Sequence, residues 1–177
     1  MSSGVKSVRA VEHSELGSCF ELLQRVGVHL RQKGRTQRVA SLPLETYERW
    51  QHLGWNFLIE AETQLQGIFS LTRETLAEWP DFTAAQRVHC LRTLAIAPEH
   101  QGKGLGRLAV THALNTPRDG ALYLDCVEGS LPKFYETAGF NRVATRSVEV
   151  EPGSLLSIVL MRAQPSPLYS ETQATYS

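Results

Sequence analysis

The stretch Gln101-Gly102-Lys103-Gly104-Leu105-Gly106 decides how this chain is read. It follows the apolar run Leu94-Ala95-Ile96-Ala97 and precedes a helical pattern from Arg107 to Asn115. A strand that stops, a glycine-rich turn and a helix start together make an anion site. The N–H groups of a helix's first turn have no partner inside the helix. The helix dipole adds partial positive charge at that end. Glycines let the backbone curl around an anion with no Cβ in the way, and phosphate is the usual guest. The spacing excludes two familiar sites. A P-loop requires Lys-Ser or Lys-Thr after its last glycine, where this chain has Arg107-Leu108. The dinucleotide fingerprint requires Gly-x-Gly-x-x-Gly, whereas these glycines fall at 102, 104 and 106. The pattern that fits is Gln-x-x-Gly-x-Gly.

Outward from this loop the chain alternates strands and helices. Val5 to Val11 reads as a strand. Ser14 is placed to cap a helix, with Glu15 suited to its dipole. Leu16, Phe20, Leu23, Val26 and Leu30 recur at helical spacing, with Gly27 as a candidate break and Gly34 as the end. Leu44 to Leu53 reads as a short helix stopped by Gly54. Trp55 to Ala61 and Leu65 to Thr72 read as a hairpin. A connection from Thr75 to Gln86, holding Trp79-Pro80-Asp81, leads to a strand from Arg87 to Ala97. Ala121 to Val127 has the apolar content of a parallel strand. Ser130 is placed to cap a helix from Leu131 to Ala138, closed by Gly139. Phe140 to Glu149 and Leu155 to Arg162 are the last strands. The expected fold is α/β: a single mixed, mostly antiparallel central sheet flanked by helices. Residues 1–163 are expected to form one domain. Residues 164–177, rich in Pro, Ser and Thr, are expected to form a flexible tail.

The 177 residues suit one domain with a proper core. A formal net charge of +0 gives no reason to expect nucleic acid or an anionic membrane as partner. Charge is unevenly spread, however. Leu22 to Leu44 carries only basic charges (Arg25, Arg31, Lys33, Arg35, Arg38), and Glu60 to Asp81 is mostly acidic. These are solvated surfaces or the borders of an acceptor cleft. Cys19, Cys90 and Cys126 form no Cys-x-x-Cys pair. Reduced thiols in a cytoplasmic setting are expected from that odd number and from a start without signal-peptide character. No apolar run approaches the roughly 20 residues of a membrane span.

Two motifs resemble the GNAT superfamily of N-acetyltransferases. The first runs from Leu91 through Leu94-Ala95-Ile96-Ala97 to Gln101-Gly102-Lys103-Gly104-Leu105-Gly106-Arg107. The second is Leu122-Tyr123-Leu124-Asp125-Cys126 followed by Phe134-Tyr135-Glu136-Thr137-Ala138-Gly139-Phe140. The resemblance covers about residues 5–163. It implies acetyl-CoA as cosubstrate, with the glycine loop on the pyrophosphate and Lys103 and Arg107 near the phosphates. It also implies pantetheine pairing with Leu94 and Ile96 across Ala95, and an Ile96 N–H facing the thioester carbonyl as an oxyanion donor. Tyr135 is implied as the acid that protonates the leaving thiolate, because a phenol with a reference pKa of about 10 keeps its proton at neutral pH. Phe134 lies beside it, as core or as cofactor contact. Many relatives carry an Asn after the Asp125-like strand; this chain has Val127-Glu128-Gly129-Ser130, so Ser130 or backbone groups take that place.

The base and the acceptor are less well marked. Strict alternation along the central strand puts Cys90, Arg92 and Leu94 on one face and His89, Leu91 and Thr93 on the other. Arg92 stands where small-molecule relatives often have a histidine, and arginine is no base at ordinary pH. Glu60, Glu74 and Glu78 are candidates acting through water, as is water alone. Arg92, Glu74 and Trp79 are the candidate acceptor contacts. Arg92 either recognises a carboxylate or phosphate on the acceptor or pairs with an internal acid such as Glu60 or Glu74. His89 and Cys90 point apart, so no metal is expected. The sequence therefore points to direct acetyl transfer to a primary amine of a small molecule, as in the bacterial small-molecule members, by a monomer or homodimer. Acetylation of a protein N-terminus or lysine, and a non-catalytic acyl-CoA sensor, are the alternatives.

Overall fold

The structure, a computed structural model, describes residues 5–35, 42–83 and 88–165. Arg38 of the basic segment, Arg87 at the expected start of the central strand, and most of the expected tail lie outside the described residues. The strands are β1 (Lys6–Ala10), β2 (Asn56–Ala61), β3 (Gln64–Thr72), β4 (His89–Ile96), β5 (Leu122–Val127), β6 (Asn141–Glu151) and β7 (Ser154–Ala163). The helices are α1 (Leu16–Gln32), α2 (Leu44–His52), α3 (Pro80–Thr83), α4 (Leu105–Asn115) and α5 (Ser130–Thr137). One seven-stranded mixed sheet has the order β1-β2-β3-β4-β5-β7-β6. The pairs β1–β2, β2–β3, β5–β7 and β6–β7 are antiparallel, and β4–β5 is parallel. This is the mixed sheet flanked by helices that the pattern predicts.

The chain forms two compact units: Met1–Leu71 with Arg92–His112, and Thr72–Leu91 with Ala113–Ser177. In the first, α1 and α2 lay Leu22, Leu23, Val26, Leu30, Tyr47 and Trp50 against Leu58, Ile68, Ala95 and Ala97. Burial of each large apolar side chain contributes about 1.5–3 kcal/mol. That outweighs the roughly 1 kcal/mol cost of a helical glycine, so α1 runs unbroken through Gly27. Its entry also differs from expectation. A 3₁₀ turn, His13–Glu15, leads into it; Glu12 caps that turn, with its N–H donating to the Glu15 carboxylate at 2.9 Å, and Glu15, not Ser14, is the cap of α1. Phe57 and Phe69 point away from Leu58 and Ile68, as the two-residue period requires. They stack on each other, and His112 of α4 packs on both.

The second unit is built around Leu76, Trp79, Val88, Cys90, Tyr123, Ile158 and Leu160. Here the Trp79-Pro80-Asp81 segment is not an acceptor-facing loop. Trp79 is fully buried, and its indole N–H donates to the Asp125 carboxylate at 3.3 Å. Arg146 of β6 lies over the Trp79 ring, 4.8 Å from its centroid. The same guanidinium donates to the Glu78 carbonyl and to the Asp81 carboxylate. Trp79, offered by the sequence as a candidate acceptor contact, is thus packed in the core of this unit.

Gly67 of β3 is a close-approach position. A Cβ there would stand 2.7 Å from the Ile96 side chain and 3.1 Å from the Ala95 carbonyl oxygen. Gly67→Ala is expected to lower the stability of the fold by about 1–3 kcal/mol, the scale of overpacking. Urea unfolding checks this; an unchanged midpoint would mean that β4 yields freely to the methyl group.

Candidate active site

The end of β4 and the start of α4 belong to one unit. A short turn, Pro98–His100, follows the strand. Gly102 and Gly104 then take φ of +76° and +80°, backbone that only glycine adopts without strain. The Gln101 side-chain amide donates back to the Ile96 carbonyl at 3.2 Å and closes the loop onto the strand. Helix α4 begins at Leu105, two residues earlier than the pattern suggests, because the Leu108 N–H already bonds the Gly104 carbonyl at 3.1 Å. The N–H groups of Leu105, Gly106 and Arg107 thus form its first turn and have no carbonyl one turn back in the helix. Gln101, Gly102, Lys103, Gly104 and Arg107 are exposed. Leu105 and Ala95 are buried, so only their main-chain groups can meet a ligand. A turn with left-handed, exposed Gly102 and Gly104 and a helix start behind it fits a pyrophosphate.

Strict alternation along β4 fails at one residue. Thr93 has φ +54°, an outlier for a β-branched side chain. The register counted from Cys90 to Leu94 therefore does not run through it, and the shared face expected for Arg92 and Leu94 is not a consequence of pleating. Thr93 is held by a polar chain that the sequence does not advertise. Its hydroxyl lies 2.9 Å from that of Ser70. Ser70 donates to the Asn56 carbonyl oxygen at 2.8 Å, and the Asn56 amide donates to the Tyr47 carbonyl at 3.0 Å. Since Ser70 has one proton, given to Asn56, Thr93 is the donor to Ser70. Arg92, just before, lies over the Trp50 ring at 5.1 Å.

Tyr135 belongs to the second unit, on α5. Gly129, at φ +132°, stands at the helix N-terminus, and Ser130 is the first helical residue rather than the cap. Ser130 is exposed and Phe134 half-buried. Tyr135 is buried between Phe134 and Phe140, with centroids 5.0 and 5.8 Å away. Burial, and then the neighbouring Cys126 and Asp125, push its phenol well above the ordinary value. It keeps its proton through the neutral range. Among the described residues no hydrogen bond occupies its hydroxyl. Burial pushes the Cys126 thiol up to about 12, so it is no nucleophile.

The remaining candidates are engaged. Glu60 accepts from Arg9 at 3.1 Å and from Ser7 at 3.2 Å. Glu74, half-buried, offers its carbonyl to the Cys90 thiol at 3.4 Å. His89 pairs with Asp119 at 2.8 Å. His89 and Cys90 thus face different partners, and no group of three or more potential ligands among the described residues could hold a metal ion. No helix among them is long and apolar enough to cross a membrane.

With this geometry in view, the chain belongs to the acetyltransferase (GNAT) family, whose pattern matches residues 22–140. By that family it is an acetyltransferase. Solved structures share the fold. The ribosomal-protein-S18-alanine N-acetyltransferase from Escherichia coli is 15% identical, with TM-score 0.67, covering 92% of this chain and 95% of its own. The yncA protein from Salmonella typhimurium, solved with its cofactor acetyl-CoA, is 21% identical, with TM-score 0.68 and coverage of 90% and 94%. A spermidine N-acetyltransferase chimera from Vibrio cholerae and hSSAT is 20% identical, with TM-score 0.62 and coverage of 96% and 98%. No curated protein matches the chain in sequence.

Gly104→Val forces a β-branched residue to φ +80° on an exposed loop. It is expected to weaken acetyl-CoA binding by about 10²-fold or more through the misplaced N–H groups while the protein stays folded. Calorimetry with acetyl-CoA, paired with a melting curve, checks this. Undiminished affinity would show that the loop does not hold the donor.

Proposed function

We propose that this chain moves the acetyl group of acetyl-CoA directly to the primary amine of a small molecule. The observation that carries the donor half is the loop with two left-handed glycines at the start of α4. In this reading the main chain of residues 101–107 holds the pyrophosphate, with Lys103 and Arg107 beside it. Leu94 and Ile96 pair with the pantetheine arm, and the Ile96 N–H receives the developing oxyanion.

The amine lone pair forms the new C–N bond at the thioester carbonyl carbon. The C–S bond breaks as the intermediate collapses. The Tyr135 phenol gives its proton to the departing sulfur, and the ammonium proton is lost to water. Water is assigned the last role because the Glu60 carboxylate is held by Arg9 and Ser7. Burial keeps Tyr135 protonated at neutral pH, so the proton is in place when the C–S bond breaks, and water returns a proton to the phenolate afterwards.

A second reading has one observation in its favour. The Escherichia coli relative acetylates an alanine of a ribosomal protein, by its name, so an exposed protein N-terminus is a competing acceptor. CoA release measured over small amines and over N-terminal peptides separates the two. Tyr135→Phe is expected to keep acetyl-CoA affinity and to lower the rate of the chemical step by about 10²-fold or more. An unchanged rate where chemistry limits turnover would make Tyr135 a packing residue.

A further inference from the structure

Two arginines of this chain lie over tryptophan rings, and the contrast between them is informative. Arg146 over Trp79 has its donors used by the Glu78 carbonyl and the Asp81 carboxylate. Arg92 over Trp50 is half-buried and, among the described residues, makes no hydrogen bond and no ion pair. Of the internal acids that the sequence offers it, Glu60 is held by Arg9. Two further acids of the same unit are likewise held: Glu15 by Arg9, and Glu99 by Arg25. A guanidinium is always charged, and a partly desolvated charge is favourable only when paired. The ring face attracts the cation without using an N–H donor as an acceptor would, and the planar fork of a guanidinium matches the two oxygens of a carboxylate or phosphate. The ring beneath it is 1% exposed, so the platform is fixed.

Position gives this free fork a role. Arg92, Trp50, Thr93 and the glycine loop belong to the same unit. Arg92 stands two residues before Leu94, and the left-handed Thr93 between them is tied to Ser70. We propose that Arg92, braced on Trp50, binds an anionic group of the acceptor, so that the amine acetylated carries a carboxylate or phosphate. This deepens the acetyl-transfer reading above and rests on it.

The test uses matched acceptors: amino acids against their amides, and phosphoethanolamine against ethanolamine, with CoA release as the readout. The wild-type protein is expected to favour the anionic member in kcat/KM by about 10-fold or more. Arg92→Gln is expected to cut that ratio by about 10-fold or more, to near one, the scale of a lost charge-assisted contact. Arg92→Lys, which keeps the charge and loses the fork, should restore part of it. Melting temperature and acetyl-CoA affinity should stay in place. A wild-type preference for neutral or cationic amines overturns the inference and leaves acetyl transfer intact. So does an Arg92→Gln variant that melts lower with its acceptor ratio unchanged. If acetyl-CoA binds but no amine draws CoA release, the transfer reading fails instead. Calorimetry of the same acceptor pairs on the acetyl-CoA complex then decides the inference. An anion preference lost in Arg92→Gln supports it, and no preference overturns it.

Discussion

A threonine held in the left-handed region in the middle of a strand constrains the first unit more than any other contact. Thr93 has φ +54°, and such backbone costs on the order of 1–3 kcal/mol unless the surroundings fix it. The surroundings are the chain Thr93–Ser70–Asn56–Tyr47, which ties β4, β3, β2 and α2 together. Ser70 and Asn56 are buried. Removing one member leaves others unpaired at about 1–3 kcal/mol each, so the network fixes the turn more firmly than the turn resists. After Thr93 the pleat is reset. Ala95 and Ala97 then face the side chains of α1 and α2, and Gly67 admits Ile96 where a methyl group would collide. The strand segment that meets the thioester in the proposed mechanism is therefore set by residues that never touch a ligand.

The charges are handled locally as well. Arg9 holds Glu15 and Glu60, and its hydrogen bonds bring the Glu15 carboxyl down to about 2. Arg118 is buried with carbonyls for company. It donates to Ala113, Leu114 and Thr116 at the C-terminal end of α4 and to Gln164 beyond β7. A cation suits that end of a helix. Within the acidic segment, Glu60 is paired with Arg9 and Asp81 with Arg146. Arg92 differs from Arg9, Arg118 and Arg146 in having neither an acid nor a carbonyl on its donors among the described residues.

Features that depend on local backbone chemistry were legible in the sequence. Left-handed glycines at 102 and 104, the glycine after α5 and the apolar period of α1 each announce themselves within a few residues. Features that depend on a distant partner were not. Threonine is a good strand former, so nothing near Thr93 signals its φ; the reason is Ser70 on another strand. Gly67 reads as a weak spot in β3 until Ile96 is seen beside it. Trp79, next to a proline and an aspartate, reads as an exposed loop residue, yet Arg146 from β6 covers it. Ser130 has the chemistry of a cap, but Gly129 takes the unusual backbone and pushes it into the helix.

The same division separates donor from acceptor. In the proposed mechanism the donor is met mostly by main-chain groups: loop N–H groups, a helix start, a strand edge. Those demands fix backbone shape and few side chains, which is why relatives only 15–21% identical keep the fold. The acceptor has to be met by side chains, and a side chain such as Arg92 carries no motif of its own. Its meaning lies in what surrounds it: a buried ring beneath it and, among the described residues, no carboxylate partner. Donor chemistry can thus be read from spacing along the chain, whereas acceptor chemistry can be read only from which partners a charged group lacks once the fold has assigned the others.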